Sequence, residues 1–264
     1  MKGAIFYFSL TGNTKLSMEY LSKKVEGVDF ELYDIRTKEI PSLDSFDVVG
    51  FAAFTDHLGP PKLMRDFLTD FEVKESTYAF VLNTYSGFSG PTLSKFADVV
   101  KARGFEVLSG FSLRMPQNYP PMRKMRITSD TAPTSKEFNK YDEYITTLNN
   151  QFMEIKQNEM VKIKKIKGGS MMGMKISLSE NQPKKDMGLQ TVNEERCIGC
   201  VKCEKVCPYD AIEMSSIPLF NHEKCKGCWG CYNHCPTKAI QTKSFDGDYQ
   251  YNRPSESLKA KFLA

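Results

Sequence analysis

The chain has 264 residues, of which 41% are hydrophobic and 12% aromatic against 26% charged. That balance supplies a core and excludes a disordered or collagen-like chain, while the length allows one large domain or two modest ones. The net charge of +4 is modest, and the excess sits in residues 151–190, where eight Lys face four acidic residues without nucleic-acid motifs, so nucleic-acid binding is not expected. No apolar run reaches the roughly 18–20 residues of a membrane span, and the apolar start Met1–Leu10 lacks a small-residue cleavage site. An intracellular, cytoplasmic protein with no transmembrane segment is expected.

In chain order, Lys2–Phe8 is a short apolar strand, followed by the polar turn Ser9–Thr14 and a helix to about Val25. Val28–Tyr33 alternates as a strand does. Phe46–Phe54 is almost continuously apolar, as befits a parallel strand covered on both faces. Pro60 and Pro61 open a helix to about Phe71, and Thr77–Leu82 and Phe105–Leu113 are further strands around a helix from Pro91 to Arg103 that stops at Gly104. A long loop, Arg114–Pro133, precedes a helix that begins with a Thr134/Glu137 capping box and repeats Phe138, Tyr141, Ile145, Leu148, Phe152 and Ile155 at spacings of three and four. Five strands interleaved with helices predict an α/β, doubly wound parallel five-stranded sheet over residues 1–157.

Ligands of such sheets bind beyond the carboxyl ends of the strands. Three loops share that edge: Ser9–Thr14, Phe54–Gly59 and Thr84–Gly90. The first leads into a helix, so its backbone N–H groups and the helix dipole suit a phosphate, with hydroxyls from Ser9, Thr11 and Thr14 and a tight turn at Gly12 and Asn13. It has no lysine and no Walker pattern, which argues against a nucleoside triphosphatase. The motif Ser9-Leu10-Thr11-Gly12-Asn13-Thr14 resembles the phosphate loop of the flavodoxins, and this resemblance implies a flavodoxin-like fold and bound FMN. It further implies that Phe54, Thr55 and Asp56, with Thr84, Tyr85, Ser86 and Gly87, flank the isoalloxazine ring, Tyr85 being the candidate to stack on it. Asn118 and Tyr119, in the long loop leaving the fifth strand, are candidates to cover the flavin edge; a proline-stiffened surface loop is the competing reading.

All eight cysteines lie between residues 197 and 235. Cys197-x-x-Cys200-x-x-Cys203-x-x-x-Cys207-Pro208 recurs as Cys225-x-x-Cys228-x-x-Cys231-x-x-x-Cys235-Pro236. This is the bacterial iron–sulfur run, in which the fourth Cys ligates the other cluster. One [4Fe–4S] cluster is thus expected on Cys197, Cys200, Cys203 and Cys235, and a second on Cys225, Cys228, Cys231 and Cys207. A disulfide framework gives no reason for two identical runs, and zinc sites favour separated pairs. The continuations Pro208-Tyr209-Asp210-Ala211-Ile212 and Pro236-Thr237-Lys238-Ala239-Ile240 resemble the bacterial dicluster ferredoxins, which implies a small α+β domain over residues 189–245, with short helices after each Cys-Pro and a hairpin within Glu213–Lys224. Trp229 and His234 are candidates to tune a cluster, simple packing being the alternative for Trp229; His57 and His222 are read as structural.

Residues 158–188, with a basic stretch and then glycine and methionine, read as a linker, and 246–264 as a tail that wraps the cysteine region or is disordered. The order of parts resembles fused flavodoxin–ferredoxin proteins of anaerobes. That resemblance implies an electron-transfer flavoprotein relaying low-potential electrons between two clusters, FMN and a redox protein partner. The alternative is an FMN-dependent reductase of a quinone or nitro compound fed through the clusters. No Gly-x-Gly-x-x-Gly marks a nicotinamide site, no residue marks a second catalytic site, and a homodimer is compatible with these residues.

Overall fold

The computed structural model describes residues 1–36, 40–71, 73, 77–167 and 182–263. In chain order its elements are β1 (Lys2–Tyr7), α1 (Asn13–Lys24), β2 (Asp29–Asp34), β3 (Val48–Phe54), α2 (Lys62–Thr69), β4 (Thr77–Tyr85), α3 (Thr92–Lys101) and β5 (Phe105–Arg114). There follow α4 (Pro120–Lys124), α5 (Ser135–Lys156), α6 (Gln182–Met187), β6 (Gln190–Val192), α7 (Lys202–Val206), β7 (Ile212–Met214), β8 (Pro218–Phe220), α8 (Gly230–His234), β9 (Ile240–Thr242) and α9 (Glu256–Leu263). No described helix is long and apolar enough to cross a membrane. The chain forms two compact units, one of Met1–Pro116, Ser129–Lys175 and Ser255–Ala264, the other of Gln117–Thr128 and Ile176–Pro254.

The first unit carries the expected five-stranded sheet. Its order is β2-β1-β3-β4-β5, with every pair parallel, which is the flavodoxin-like doubly wound order. Alternation along β1 sends Ile5 and Tyr7 into a core shared with α1 and α5, while Phe6 between them meets Phe67 of α2 at 5.5 Å and Phe51 of β3 at 5.8 Å. Gly50 permits the packing on the other face, because a Cβ there would stand 2.3 Å from the ring of Phe80. The capping box forms as expected, with the Thr134 side chain accepting from Glu137 N and the Glu137 carboxylate accepting from Thr134 N. Behind it α5 buries Tyr141, Tyr144, Ile145, Leu148, Gln151 and Phe152.

Two segments outside the sheet complete this unit. A bulge in β5 at Leu108 shifts the register between Ala79↔Val107 and Phe80↔Ser109, and the freed Leu108 carbonyl accepts from Lys164 N (2.8 Å) and Gln151 Nε2 (3.2 Å). Gln151, only 2% exposed, also donates to the Lys162 carbonyl and accepts from Ser109 Oγ. The start of the expected linker thus runs beside the edge strand, its exposed lysines discouraging addition of another strand. Its glycine–methionine portion, 168–181, lies outside the described residues. The end of the expected tail also belongs here: α9 buries Leu258 and Phe262 in the core of α1 and α5, Phe262 meeting Phe138 and Tyr20 edge-on at 5.0 and 5.6 Å.

The second unit is small and α+β. Two antiparallel pairs, β6·β9 and β7·β8, accompany helices α7 and α8; β7 and β8 are the expected hairpin. Each short helix begins inside a cysteine run and ends at its fourth cysteine, Cys207 or Cys235. This corrects the expectation of helices after each Cys-Pro, where the chain instead turns into β7 and β9. The reason is in the backbone: Val201 and Trp229, at φ 61° and 62°, start the helices before the third cysteine, whereas Asp210 and Lys238, at φ 49° and 57°, turn the chain after each Cys-Pro.

Candidate functional site

At the carboxyl end of the sheet, Gly12 adopts φ 92° and serves as N-cap of α1 without a side-chain cap or an acidic residue in the first turn. The positive end of a 12-residue helix is therefore left to the loop. Ser9, Thr11, Asn13 and Thr14 are all buried. Gly12 N donates to Ser9 Oγ (3.2 Å), Asn13 Nδ2 to the Pro116 carbonyl (3.0 Å), and the Thr14 and Thr84 hydroxyls lie 2.8 Å apart. The first loop is thereby fixed to the ends of β4 and β5.

The second loop is a tight turn in which Asp56 and Gly59 exchange backbone hydrogen bonds at 2.9 and 3.0 Å. His57 and Leu58 take left-handed conformations, and His57 Nδ1 lies 2.8 Å from Asp56 Oδ1. Thr55 N donates to the Thr84 carbonyl (2.7 Å). Asn83, fully buried, links the loops: its amide donates to Thr55 Oγ1 (2.8 Å) and Ser89 Oγ (3.0 Å), and its Oδ1 accepts from Ser112 Oγ (2.6 Å). Asn83 is not among the expected residues, although a polar amide directly after the apolar run Ala79–Leu82 is the signal that marks it.

Thr84 and Tyr85 end β4 rather than belonging to a loop, because the ladder with β5 continues to Tyr85↔Arg114. Arg114, a second residue that the sequence reading misses, donates Nε to the Ser86 carbonyl (3.0 Å) and pairs with Glu137 at 3.5 Å. Burial, then the Glu137 charge, raise the pKa of the half-buried Tyr85, opposed by Arg114. Burial also works against the Glu137 charge, but hydrogen bonds from Thr134 and the Arg114 guanidinium hold its carboxyl below the ordinary range. Gly87 follows Ser86 in the exposed turn after β4, and Ser86 Oγ lies 2.5 Å from Ser129 Oγ.

Asn118 and Tyr119 lie in the second unit. The Asn118 carbonyl accepts from Asn233 Nδ2 (2.9 Å), and Tyr119 donates to Asp186 (2.5 Å) and stands edge-on to Trp229 at 6.1 Å. With Lys124 donating to the Ser244 carbonyl (3.1 Å), residues 117–128 form a bracket on the cysteine unit.

The eight cysteines gather around two cavities. One, with about 330 Å³ of empty space partly open to solvent, is lined by Cys197, Cys200, Cys203 and Cys235; the other, about 340 Å³, by Cys207, Cys225, Cys228 and Cys231. Among the described residues no group of three or more His, Cys, Asp or Glu is placed to hold a single metal ion. Burial pushes the Cys203 thiol up to about 11 and raises Cys225 and Cys231 as well. Bare thiolates are thus disfavoured here, and a metal, where bound, would hold such sulfurs deprotonated. Backbone donors already serve them: Ala239 N to Cys235 Sγ (3.1 Å), Ala211 N to Cys207 Sγ (3.4 Å) and Gly227 N to Cys225 Sγ (3.4 Å). Two buried polar atoms of residues lining the second cavity, Trp229 Nε1 and Gln190 Oε1, have no hydrogen-bond partner among the described residues. An unmatched N–H on a residue that lines this cavity fits a group that brings hydrogen-bond-accepting sulfur.

Residues 190–242 match a family described as the 4Fe-4S dicluster domain. No curated protein matches the chain. Among solved structures, the chain is similar to a flavodoxin from the domain Archaea (15% identity, 58% of this chain and 99% of that one, TM-score 0.43). It is also similar to the two-electron reduced flavodoxin of Megasphaera elsdenii (19% identity, 53% and 97%, TM-score 0.39). A third is a mutant flavodoxin of Fusobacterium nucleatum bound to flavin mononucleotide (13% identity, 60% and 97%, TM-score 0.40).

Proposed function

We propose that the chain is an electron-transfer protein that exchanges electrons among two [4Fe–4S] clusters, FMN and a redox protein partner. The observation that carries this reading is the lining of the two cysteine cavities, each taking three cysteines from one run and the fourth from the other. Once bound, a cubane exchanges one electron and a flavin one or two. Everything else falls to the protein.

Cys197, Cys200, Cys203 and Cys235 would hold one cluster, and Cys207, Cys225, Cys228 and Cys231 the other. The crossed fourth cysteine ties the two halves of the unit, so neither cluster is carried by a single loop. Ala211, Ala239 and Gly227 N–H groups stabilise negative charge on sulfur, which grows on reduction. In the first unit, the uncapped start of α1 and the Ser9–Thr14 loop suit a dianionic phosphate, with no cation available in the loop to promote its transfer. Thr55, Asp56, Tyr85 and Ser86, at the ends of β3 and β4, would border the flavin ring, with Asn83 locking their relative positions.

The test is anaerobic purification with iron, sulfide and flavin quantified on one sample, followed by a spectroelectrochemical titration. About eight iron and eight sulfide with one FMN per chain, all cycling reversibly, is the result expected for two four-iron clusters and one flavin. Redox-silent metal or absent flavin overturns it. Saturable turnover of a quinone or nitro compound by the reduced protein would replace the carrier with a reductase.

A further inference from the structure

The two cysteine runs are alike in spacing but not in what stands between their second and third cysteines. Val201 and Trp229 hold corresponding places: φ is 61° and 62°, each caps a five-residue helix, and each lines the cavity of its own run. Valine offers no side-chain donor. Trp229 is only 2% exposed, and its indole N–H finds no acceptor among the described residues.

A buried donor left without an acceptor pays its desolvation with nothing in return. The indole packs at right angles to Tyr119, Tyr232 and Phe245, with centroids 6.1, 5.2 and 5.0 Å away. An N–H held by a ring face is a weak bond, whereas a cluster sulfur carries negative charge and is a strong acceptor. Since this cavity already receives the Ala211 and Gly227 N–H groups on its thiols, the indole would add a further donor that Val201 cannot supply to the other.

We propose that the Trp229 indole N–H donates a hydrogen bond to sulfur of the cluster held by Cys207, Cys225, Cys228 and Cys231, raising the reduction potential of that cluster alone. This rests on the cluster-binding reading above. Reduction adds one electron to the cluster, and a donor to sulfur favours the more negative form, so the bond strengthens on reduction.

Trp229→Phe keeps an aromatic ring for Tyr119, Tyr232 and Phe245 and deletes the N–H. With the full chain at unchanged iron and sulfide content, EPR-monitored potentiometry should find one cluster about tenfold harder to reduce, about 59 mV for a one-electron couple, and the other unmoved. Because Trp229 is the sole tryptophan of the chain, indole-15N-tryptophan labels this group alone. Pulsed EPR of the reduced wild-type protein should then show a contact 15N coupling to one cluster, which holds as a test even if Trp229→Phe fails to assemble. Unchanged potentials, an equal shift of both clusters, or no 15N contact coupling overturns the assignment while leaving cluster binding intact. Wild-type protein without iron and sulfide overturns both.

Discussion

The hydroxyls of Thr14 and Thr84 lie 2.8 Å apart in the interior, joining the first turn of α1 to the end of β4. The pair fixes the height of the first loop against the strand edge where the other two loops begin. Thr84→Val keeps the shape and removes one partner, leaving the Thr14 hydroxyl buried and without it. Urea unfolding of the full chain should show a loss of about 1–3 kcal/mol, and a variant as stable as wild type would show that the contact is energetically idle.

Gly12 takes φ 92° where the loop enters α1. Gly12→Ala disfavours that conformation by about 1–2 kcal/mol, roughly a tenfold effect, so the loop relaxes out of it and must be brought back to it when phosphate binds. If the loop holds phosphate, FMN affinity should fall by about that factor while riboflavin, which lacks the phosphate, is unaffected. Fluorescence titration with both flavins decides; equal losses would move the phosphate elsewhere.

Cys197 and Cys235 are 38 residues apart in sequence but line one cavity, whereas Cys207 lines the other. Cys197→Ser and Cys235→Ser should therefore perturb the same EPR signal, with Cys207→Ser perturbing the second. Cys235→Ser resembling Cys207→Ser would mean that each run holds its own cluster.

Phe262 closes the core between Tyr20 and Phe138. Phe262→Ala should cost about 3–5 kcal/mol, which for a unit of this size lowers Tm by roughly 6–20 °C. Thermal circular dichroism would register it, with iron content unchanged; a shift of only a degree or two would show α9 to be an ornament of the fold.

Glu137 has its carboxyl held below the ordinary value of 4.5 in the folded protein. A lowered folded-state pKa gives stability that is present above the unfolded value and lost as pH falls through the folded one. Wild type should lose stability more steeply than Glu137→Gln below about pH 4.5, the gap closing at the most acid end. Parallel stability curves across the acid range would remove the Arg114 and Thr134 contacts from the account.

Local period and spacing alone name a good part of this protein. The continuous apolar run of β3, the capping box at Thr134 and the i, i+3, i+4 stripe of α5 each specify an element and the face it buries, because backbone geometry over a few residues dictates them. The paired cysteine runs likewise announce their chemistry before any fold is known. What those faces meet is settled by packing over long distances in the chain. An apolar stripe in the last residues does not say that α9 closes on Phe138 and Tyr20, and a proline-rich loop does not say that Tyr119 meets Trp229. Asn83 and Arg114 escape a reading of the sequence for the same reason: a polar side chain acquires its role from partners dozens of residues away. The indole N–H of Trp229 is the plainest instance, since only packing, by closing it off from water and from the polar groups of the described residues, turns an aromatic residue in a cysteine run into a donor that needs an acceptor.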